Sequence, residues 1–532
     1  MDGRVAGRLS ADAVVVGGGP NGLVAAIALA DAGWEVLLLE ANDTVGGAVR
    51  TAEVTAPGFR TDLFSAFYPL AAASPVIRDL HLEAHGLRWE HAPRVVTHVF
   101  PDGSATTMER DAEATAAHLE SQAAGDGEAW LAMLEQWSRL RDPLLDALFS
   151  PFPPVRAGLS LGRQLGSRGL LDFARLAVLP ARRLGEEQFA GPGPRALITG
   201  NAMHSDLPPD AAGSGLFGWL LTMLGQDVGF PVPSGGAQSL ADALRSRFEA
   251  AGGTVRTGAR VASVDVRGGR AVGVRLTDGE RVAARRAVLA DVDAPSLFTQ
   301  LVGTEHLPAS YVDALARFQW DHPTLKVNWA VDGPVPWRSP EAVGAGTVHL
   351  GVDDNGFVDH SAAMSTGRVS TAPFVLLGQM TTADPSRSPA GTESVWAYSH
   401  LSHSLAHDDE ALAASTEAMR RVMEEAAPGV RDMVLAEHVQ RPGDIEAANS
   451  NLVGGAINSG TAHLHQQLVF RPATGLGRPE TPVAGLFLAS ASAHPGGGVH
   501  GACGWNAARA ALGSEKAVRR RLARTAWSRL LG

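Results

Sequence analysis

The sequence predicts an α/β protein in which a parallel-sheet domain is interleaved with a second domain of mixed sheet and helical cap. Three observations predict it: a strand, turn, helix and strand pattern opens the chain, helical apolar spacing fills the middle, and strand-like runs resume near residue 320 and close in a Gly-rich turn and a last helix. Neither an internal repeat nor a low-complexity linker divides the 532 residues, so the domains share the chain in alternating pieces.

Residues 12–16 are followed by GGGPNG, an Ala- and Leu-rich stretch at 23–32, Gly33 and the run Glu35 to Leu39. That order reads strand, tight turn, helix, C-cap and strand, a complete βαβ unit. Trp130, Leu134, Trp137, Leu144 and Leu148, then residues 165–179, carry helical spacing that Pro143, SPFPP at 150–154 and GPGP at 191–194 are expected to break. A helix at 239–248 leads into Val-rich runs at 254–257, 261–266 and 271–276, separated by Gly turns, and then into 287–290. A small β-meander between two returns to the main sheet is expected there.

Leu325, Val327 and Trp329 alternate with Lys326, Asn328 and Ala330, and 374–380 and 393–401 look alike, which predicts a second sheet. Leu412, Thr416, Met419, Met423 and Ala426 fall at i, i+4, i+7, i+11 and i+14 between Asp408-Asp409 and Pro428, an amphipathic helix placed to back that sheet. The chain then closes with 486–491, a Gly-rich turn and a helix over 502–512. These boundaries assign 1–95, 233–305 and 441–513 to the parallel-sheet domain, 96–232 and 306–440 to the cap and substrate domain, and 514–532 to a basic amphipathic tail.

Composition narrows the function. Lys and Arg number 45 against 56 Asp and Glu, a net charge of −11, which argues against nucleic acid as the main partner. The single Cys503 excludes an intrachain disulfide, a CxxC redox pair and a Cys-rich zinc site. His463, His465 and His438 read as polar loop or strand residues, and no metal site is expected. No stretch approaches the roughly 20 apolar residues of a membrane-spanning helix. The first eleven residues carry no apolar leader, so a cytoplasmic location is expected.

The chemistry begins at Gly17-x-Gly19-Pro20-Asn21-Gly22, where a strand ends and a helix begins, with Glu40 closing the next strand. Gly17 permits the turn, Gly19 removes a Cβ that would block a pyrophosphate, and Gly22 lets the helix pack closely while its N-terminal N–H groups face the phosphates. Glu40 is placed to accept from an adenosine ribose and disfavours a 2′-phosphate. NAD and FAD both remain open at this point. Beyond Glu40 and Ala41, the doublet Gly46-Gly47 with Ala48 offers bare backbone to a pyrophosphate and ribityl chain. Residues 494–501, containing Gly497, Gly498, Val499 and His500, form a second Gly-rich turn feeding a helix N-terminus, suited to a flavin edge that becomes negative on reduction.

Four blocks make the resemblance specific: GGGPNGLVAA, LLLEANDTVGGAVRTAEVTAPGFRTDLFS, DPSRSPAGTESVWAY and FLASASAHPGGGVHGACGWNAARAAL. With them the chain resembles the phytoene desaturase-like flavoproteins, nearest the subfamily labelled pyridine nucleotide-disulfide oxidoreductase-like, with carotenoid desaturases and ketolases further off. The resemblance implies bound FAD in a glutathione-reductase-type Rossmann domain and Val261 as a backbone contact to adenine. It also implies an apolar substrate, isoprenoid or polyene, that gives hydride to flavin N5. The lone cysteine contradicts a disulfide reductase. With no second complete dinucleotide unit, reoxidation by oxygen or a quinone is expected rather than by NAD(P).

Lysines are scarce, only Lys326 and Lys516, and flavin amine oxidases of a related fold use a lysine to hold water at flavin N5. Lys326 is therefore the candidate catalytic side chain. The segment LFGWLLTML with Trp130, Trp137 and Trp219 offers a pocket lining, although apolar residues at helical spacing are more often plain core. An amine or amino-acid oxidase on the same scaffold is the alternative enzyme, and a non-catalytic Rab-escort-like binding protein the alternative outside enzymes. In the tail, Lys516, Arg519, Arg520, Arg521, Arg524 and Arg529 accompany Val518, Leu522, Ala526 and Leu530, the pattern of a basic helix lying on an anionic membrane surface.

Overall fold

Short runs of Val, Leu and Ala make the centre of the first sheet, where parallel pairing explains why the strands are apolar on both faces. The computed structural model describes residues 9–475 and 477–514, so the amphipathic tail inferred from 516–531 lies outside the described residues. Leu9–Val16 pairs in parallel with Val36–Leu39 on one side and Arg281–Ala290 on the other, with Val14 opposite both Leu37 and Val288. Thr254–Arg256 adds a parallel edge beyond Val36–Leu39.

The meander does not stand apart from this sheet. Val261–Arg267 and Arg270–Leu276 pair antiparallel, and Arg270–Leu276 pairs with the first residues of Arg281–Ala290. The last residues of that same long strand pair in parallel with Leu486–Leu488. Its second half thus draws the C-terminal Gly-rich turn to the ends of the strands where the first glycine loop lies.

Helix Pro20–Asp31 is buried along almost its whole length and packs against the closing helix Ala502–Ser514 and against Gln238–Ala250. Small residues set the spacing: a Cβ on Gly504 would lie 1.8 Å from the Asn21 carbonyl oxygen.

The second sheet runs, in spatial order, Val434–Gln440, Thr324–Val331, Glu393–His400, Val375–Gln379, Ala345–Leu350, Arg94–Val99 and Ala105–Glu109. All pairs are antiparallel except Ala345–Leu350 with Arg94–Val99. Leu325, Val327 and Trp329 cover one face together with Leu412, Met419, Val422 and Met423 of helix Asp409–Ala426, which backs the sheet. Strand alternation therefore turns Lys326, Trp396 and Tyr398 to the opposite face.

Six helices between Ala112 and Val228 form the cap. Pro143 does not break it: Asp126–Phe149 runs through the proline as one helix. Trp130, Trp137, Leu140, Leu145 and Phe149 are buried on both sides of Pro143, and that packing outweighs the lost hydrogen bond. The three tryptophans are core and not pocket lining. All are at most 1% exposed, Trp137 meets Trp219 edge-on at 5.5 Å, and the indole N–H groups of Trp130 and Trp137 donate to Gln226 and Asp227.

Candidate active site

The glycine loop needs each of its glycines for a different reason. Gly17 has φ +96°, and a Cβ there would lie 2.6 Å from the Asp291 carbonyl oxygen. On Gly19 a Cβ would come 2.6 Å from Asp291 Oδ2, and on Gly22 2.1 Å from the Gly17 carbonyl oxygen. Pro20 opens the helix and Gly19 caps it without a side chain, so the first turn presents its N–H groups to the loop. Asn21 Oδ1 is buried without a partner.

Glu40 is buried and holds the loop from beneath: Oε2 accepts from the Gly18 N–H at 2.7 Å, and Oε1 from the Asn42 N–H and Nδ2 at 2.8 and 3.0 Å. Its main chain bonds to Arg256 and Ala259, which carries Ala41 beside the stretch that becomes the strand opening at Val261. The doublet closes the other wall. The Gly46 N–H donates to the Gly18 carbonyl at 2.9 Å, and Gly47, at φ +54°, faces Gly19 so closely that a Cβ would lie 3.0 Å from its Cα. The Ala48 carbonyl accepts from Ser65. Sequence reading missed Arg50, whose guanidinium lies over the Phe64 ring at 5.2 Å with Glu40 as its neighbouring charge.

The second glycine turn is built as firmly. Gly496 and Gly498 have positive φ, and a Cβ on Gly497 would lie 2.8 Å from Asn458 Oδ1. His500 Nδ1 accepts from the Ala502 N–H at 3.0 Å while Nε2 lies 3.3 Å from the Gly496 carbonyl, so the ring is neutral and caps the closing helix. Burial pushes that imidazole down to about 4. What Gly497, Gly498, Val499 and His500 can offer a flavin is their backbone. Cys503, one turn on, is buried, and burial pushes its thiol up to about 12.

Two further residues hold this turn and had no signal in the sequence. Arg471 is 1% exposed and gives its guanidinium to the carbonyls of Asn458, Ser459, Gly460, Thr461 and Ala491. Asp321 takes the N–H groups of Ile457, Asn458 and Gly460. A cation on the carbonyl side and an anion on the amide side thus clamp one loop against the glycine turn. Only pairing across distant segments makes either residue meaningful.

Lys326 is buried, and its ammonium donates to the Asp62 carbonyl and lies 5.2 Å from the Trp396 ring centroid. Burial, against the Asp62 charge and with Arg387 nearby, pushes it down to about 7. Asp62 leads directly into Leu63 and Ser65, which hydrogen-bond Arg50 and Ala48 behind the glycine doublet. Around the lysine the sheet face is aromatic. Trp396 stacks on Tyr398 at 5.9 Å and meets Phe67 at 6.0 Å, and Phe67 meets Phe230 at 6.5 Å. Beyond them His204 and His349 share one hydrogen bond between their Nε2 atoms at 2.8 Å, and burial holds both rings neutral. Among the described residues no group of three His, Cys, Asp or Glu is placed to hold a metal, and His438, His463 and His465 form none.

A bare loop at one helix N-terminus suits any dinucleotide. Here a second bare turn is brought to the same strand ends from the far end of the chain, while the doublet packs on the first loop with Arg50 beside Glu40. That pair of bare turns fits FAD, and the fold is that of an FAD-dependent oxidoreductase of the glutathione-reductase type. Comparison with known proteins then gives the family: the model for flavin containing amine oxidoreductases matches residues 21–512, and the chain belongs to that family.

Pyridine nucleotide-disulfide oxidoreductase domain-containing protein 2 of Mus musculus is 30% identical, over 93% of this chain and 92% of the relative. A limonene dehydrogenase subunit of Castellaniella defragrans is 24% identical over 94% of each chain. The neurosporene-forming phytoene desaturase of Cereibacter sphaeroides is 24% identical over 92% of each. Among solved structures, putrescine oxidase bound to putrescine superposes with a TM-score of 0.59 over 95% of this chain and 99% of its own, at 18% identity, which shows the fold alone.

Proposed function

We propose that this oxidoreductase dehydrogenates an apolar substrate of isoprenoid or polyene type. The observation that carries the reading is the aromatic face formed by Phe67, Phe230, Trp396 and Tyr398 beside the segment that runs behind the cofactor cradle. The names of the limonene and phytoene relatives support it. Bound FAD supplies a two-electron acceptor at N5. The chain's own part is to orient the substrate on the aromatic face, exclude water, and hold Lys326 where it exchanges between ammonium and amine near pH 7 and so can receive or pass a proton. The amine-oxidase reading is favoured by the same lysine and by the family description.

Anaerobic bleaching of the bound flavin tests both readings. Isoprenoid alkenes or alcohols are expected to bleach the flavin band and primary amines to leave it unchanged; the reverse result overturns the proposal. NADH and NADPH are expected to reduce it slowly, with oxygen or a quinone restoring the band.

Among the described residues no helix is long and apolar enough to cross a membrane. We also propose, on the sequence of the tail alone, that residues 516–531 bring the enzyme to an anionic lipid surface. In liposome co-sedimentation the full chain is expected to bind anionic vesicles and a chain ending at Gly513 to stay in solution. Equal behaviour of the two refutes it.

A further inference from the structure

Asp291 follows directly on Arg281–Ala290, at the strand end nearest the glycine loop. Its backbone is fixed on both sides: the N–H donates to the Val16 carbonyl at 2.8 Å, and its carbonyl accepts from Asn451 Nδ2 at 2.9 Å. The residue is 7% exposed, and Oδ2 accepts from the Gly22 N–H at 2.9 Å. That oxygen stands 2.6 Å from the point a Cβ on Gly19 would occupy. An acid has therefore been built into the first turn of the helix whose amide groups and dipole make the diphosphate site.

We propose that Asp291 and the FAD diphosphate compete for that helix N-terminus, so that FAD is bound together with one proton, which Asp291 takes from solvent. The reasoning is electrostatic. A helix N-terminus carries about half a positive charge, enough to favour one anion and too little for an ionised carboxylate packed against a doubly charged diphosphate. Among the described residues no cation is paired with Asp291.

The charged and titratable groups facing it do not relieve the conflict. From the end of the second strand comes Glu40, a second acid, and from the closing helix Cys503, whose thiol is pushed far above neutrality. Asn451, from the segment packed on the other side, is neutral. Arg50 lies beyond Glu40 and answers to it. Burial, opposed by the Gly22 hydrogen bond and reinforced by Glu40, already raises the Asp291 carboxyl to about 7 before a diphosphate adds its own charge. Once neutral, the carboxyl can keep accepting from Gly22 through its carbonyl oxygen and donate its proton to a phosphate oxygen. The balance is one FAD, one ionised protein carboxylate and one proton from water giving one complex.

The proposal concerns how FAD is held and stands whichever substrate the enzyme uses. The sign follows from linkage. Because the bound state holds one more proton than the free protein, FAD affinity weakens as pH rises above about 7, by up to about tenfold per pH unit.

The holoenzyme is diluted at several pH values between about 6 and 9, and the flavin released is read by its fluorescence at equilibrium. From pH 7 to 8.5 the dissociation constant is expected to rise about tenfold or more in the native protein and less than about twofold in Asp291→Asn, which keeps the hydrogen bond and cannot ionise. Lys326 titrates in the same window, so the slope of the Asn variant separates the two groups. A flat native profile, or the same slope in the Asn variant, overturns the proposal. Should that variant fold poorly, calorimetric titration of FAD into the stripped native protein at pH 8, in two buffers of different ionisation enthalpy, counts the protons directly: close to one per FAD is expected, and none overturns it.

Discussion

Gly19→Val is expected to yield a folded, colourless protein. Gly19 has φ −70° and ψ 174°, a conformation any residue adopts, so the effect is one of space and not of backbone strain. A Cβ would sit 2.6 Å from Asp291 Oδ2 and 4.0 Å from the Gly47 Cα, and the two methyl groups of valine would fill the remaining gap between loop and doublet. We expect the FAD diphosphate to pass through that gap. We expect FAD affinity to fall at least about a hundredfold, roughly 3 kcal/mol, with the far-ultraviolet circular dichroism preserved once the Asp291 carboxylate swings aside. The ratio of flavin to protein absorbance after gel filtration checks it. A variant that retains stoichiometric flavin would show that the diphosphate does not pass there.

The second large effect is on stability. Asp62 and Arg387 are both 0% exposed at the side chain and meet at 2.7 Å, too obliquely for a directed hydrogen bond, so the contact is mainly charge on charge. Asp62 also accepts from Thr51 Oγ1 and the Ala237 N–H, at 2.6 and 2.9 Å, while Arg387 reaches the Arg60 carbonyl at 3.3 Å. Arg387→Met takes the guanidinium from the buried Asp62 carboxylate and leaves the Lys326 ammonium as its nearby positive charge, which costs about 3–5 kcal/mol. Pairing it with Asp62→Asn removes the stranded charge and is expected to recover much of the loss. Urea unfolding of the single and double variants measures both. Because the carbonyl of Asp62 receives the Lys326 ammonium, the single variant is also expected to shed flavin more readily. A single variant within about 1 kcal/mol of the native protein would show that this pair does not hold the segment behind the glycine doublet.

Much of the cofactor site is legible in the amino-acid sequence. Gly17, Gly19, Gly22, Glu40 and the Gly46-Gly47 doublet fall within one βαβ unit and the few residues after it, and their meaning is carried by short spacing and by the absence of a side chain. The alternation of Leu325, Val327 and Trp329 with Lys326 correctly turns the lysine away from the backing helix. Pro143 misleads because a local rule on hydrogen bonding is outweighed by apolar burial on both sides of it, and for the tryptophans apolar spacing leaves core and pocket wall both open until burial decides for core.

The parallel-sheet domain, the first glycine loop and the existence of a second glycine turn can be read from local pattern, because glycines, apolar periods and a strand-end acid act on their immediate neighbours. Only the tertiary structure decided that Asp291 stands at the diphosphate helix, that Arg471 and Asp321 clamp one loop, that Arg387 answers Asp62, and that both ring nitrogens of His500 are occupied. A buried charge takes its role from whatever is folded against it, and here those partners come from distant parts of the chain, where spacing along the sequence carries no record of distance in space.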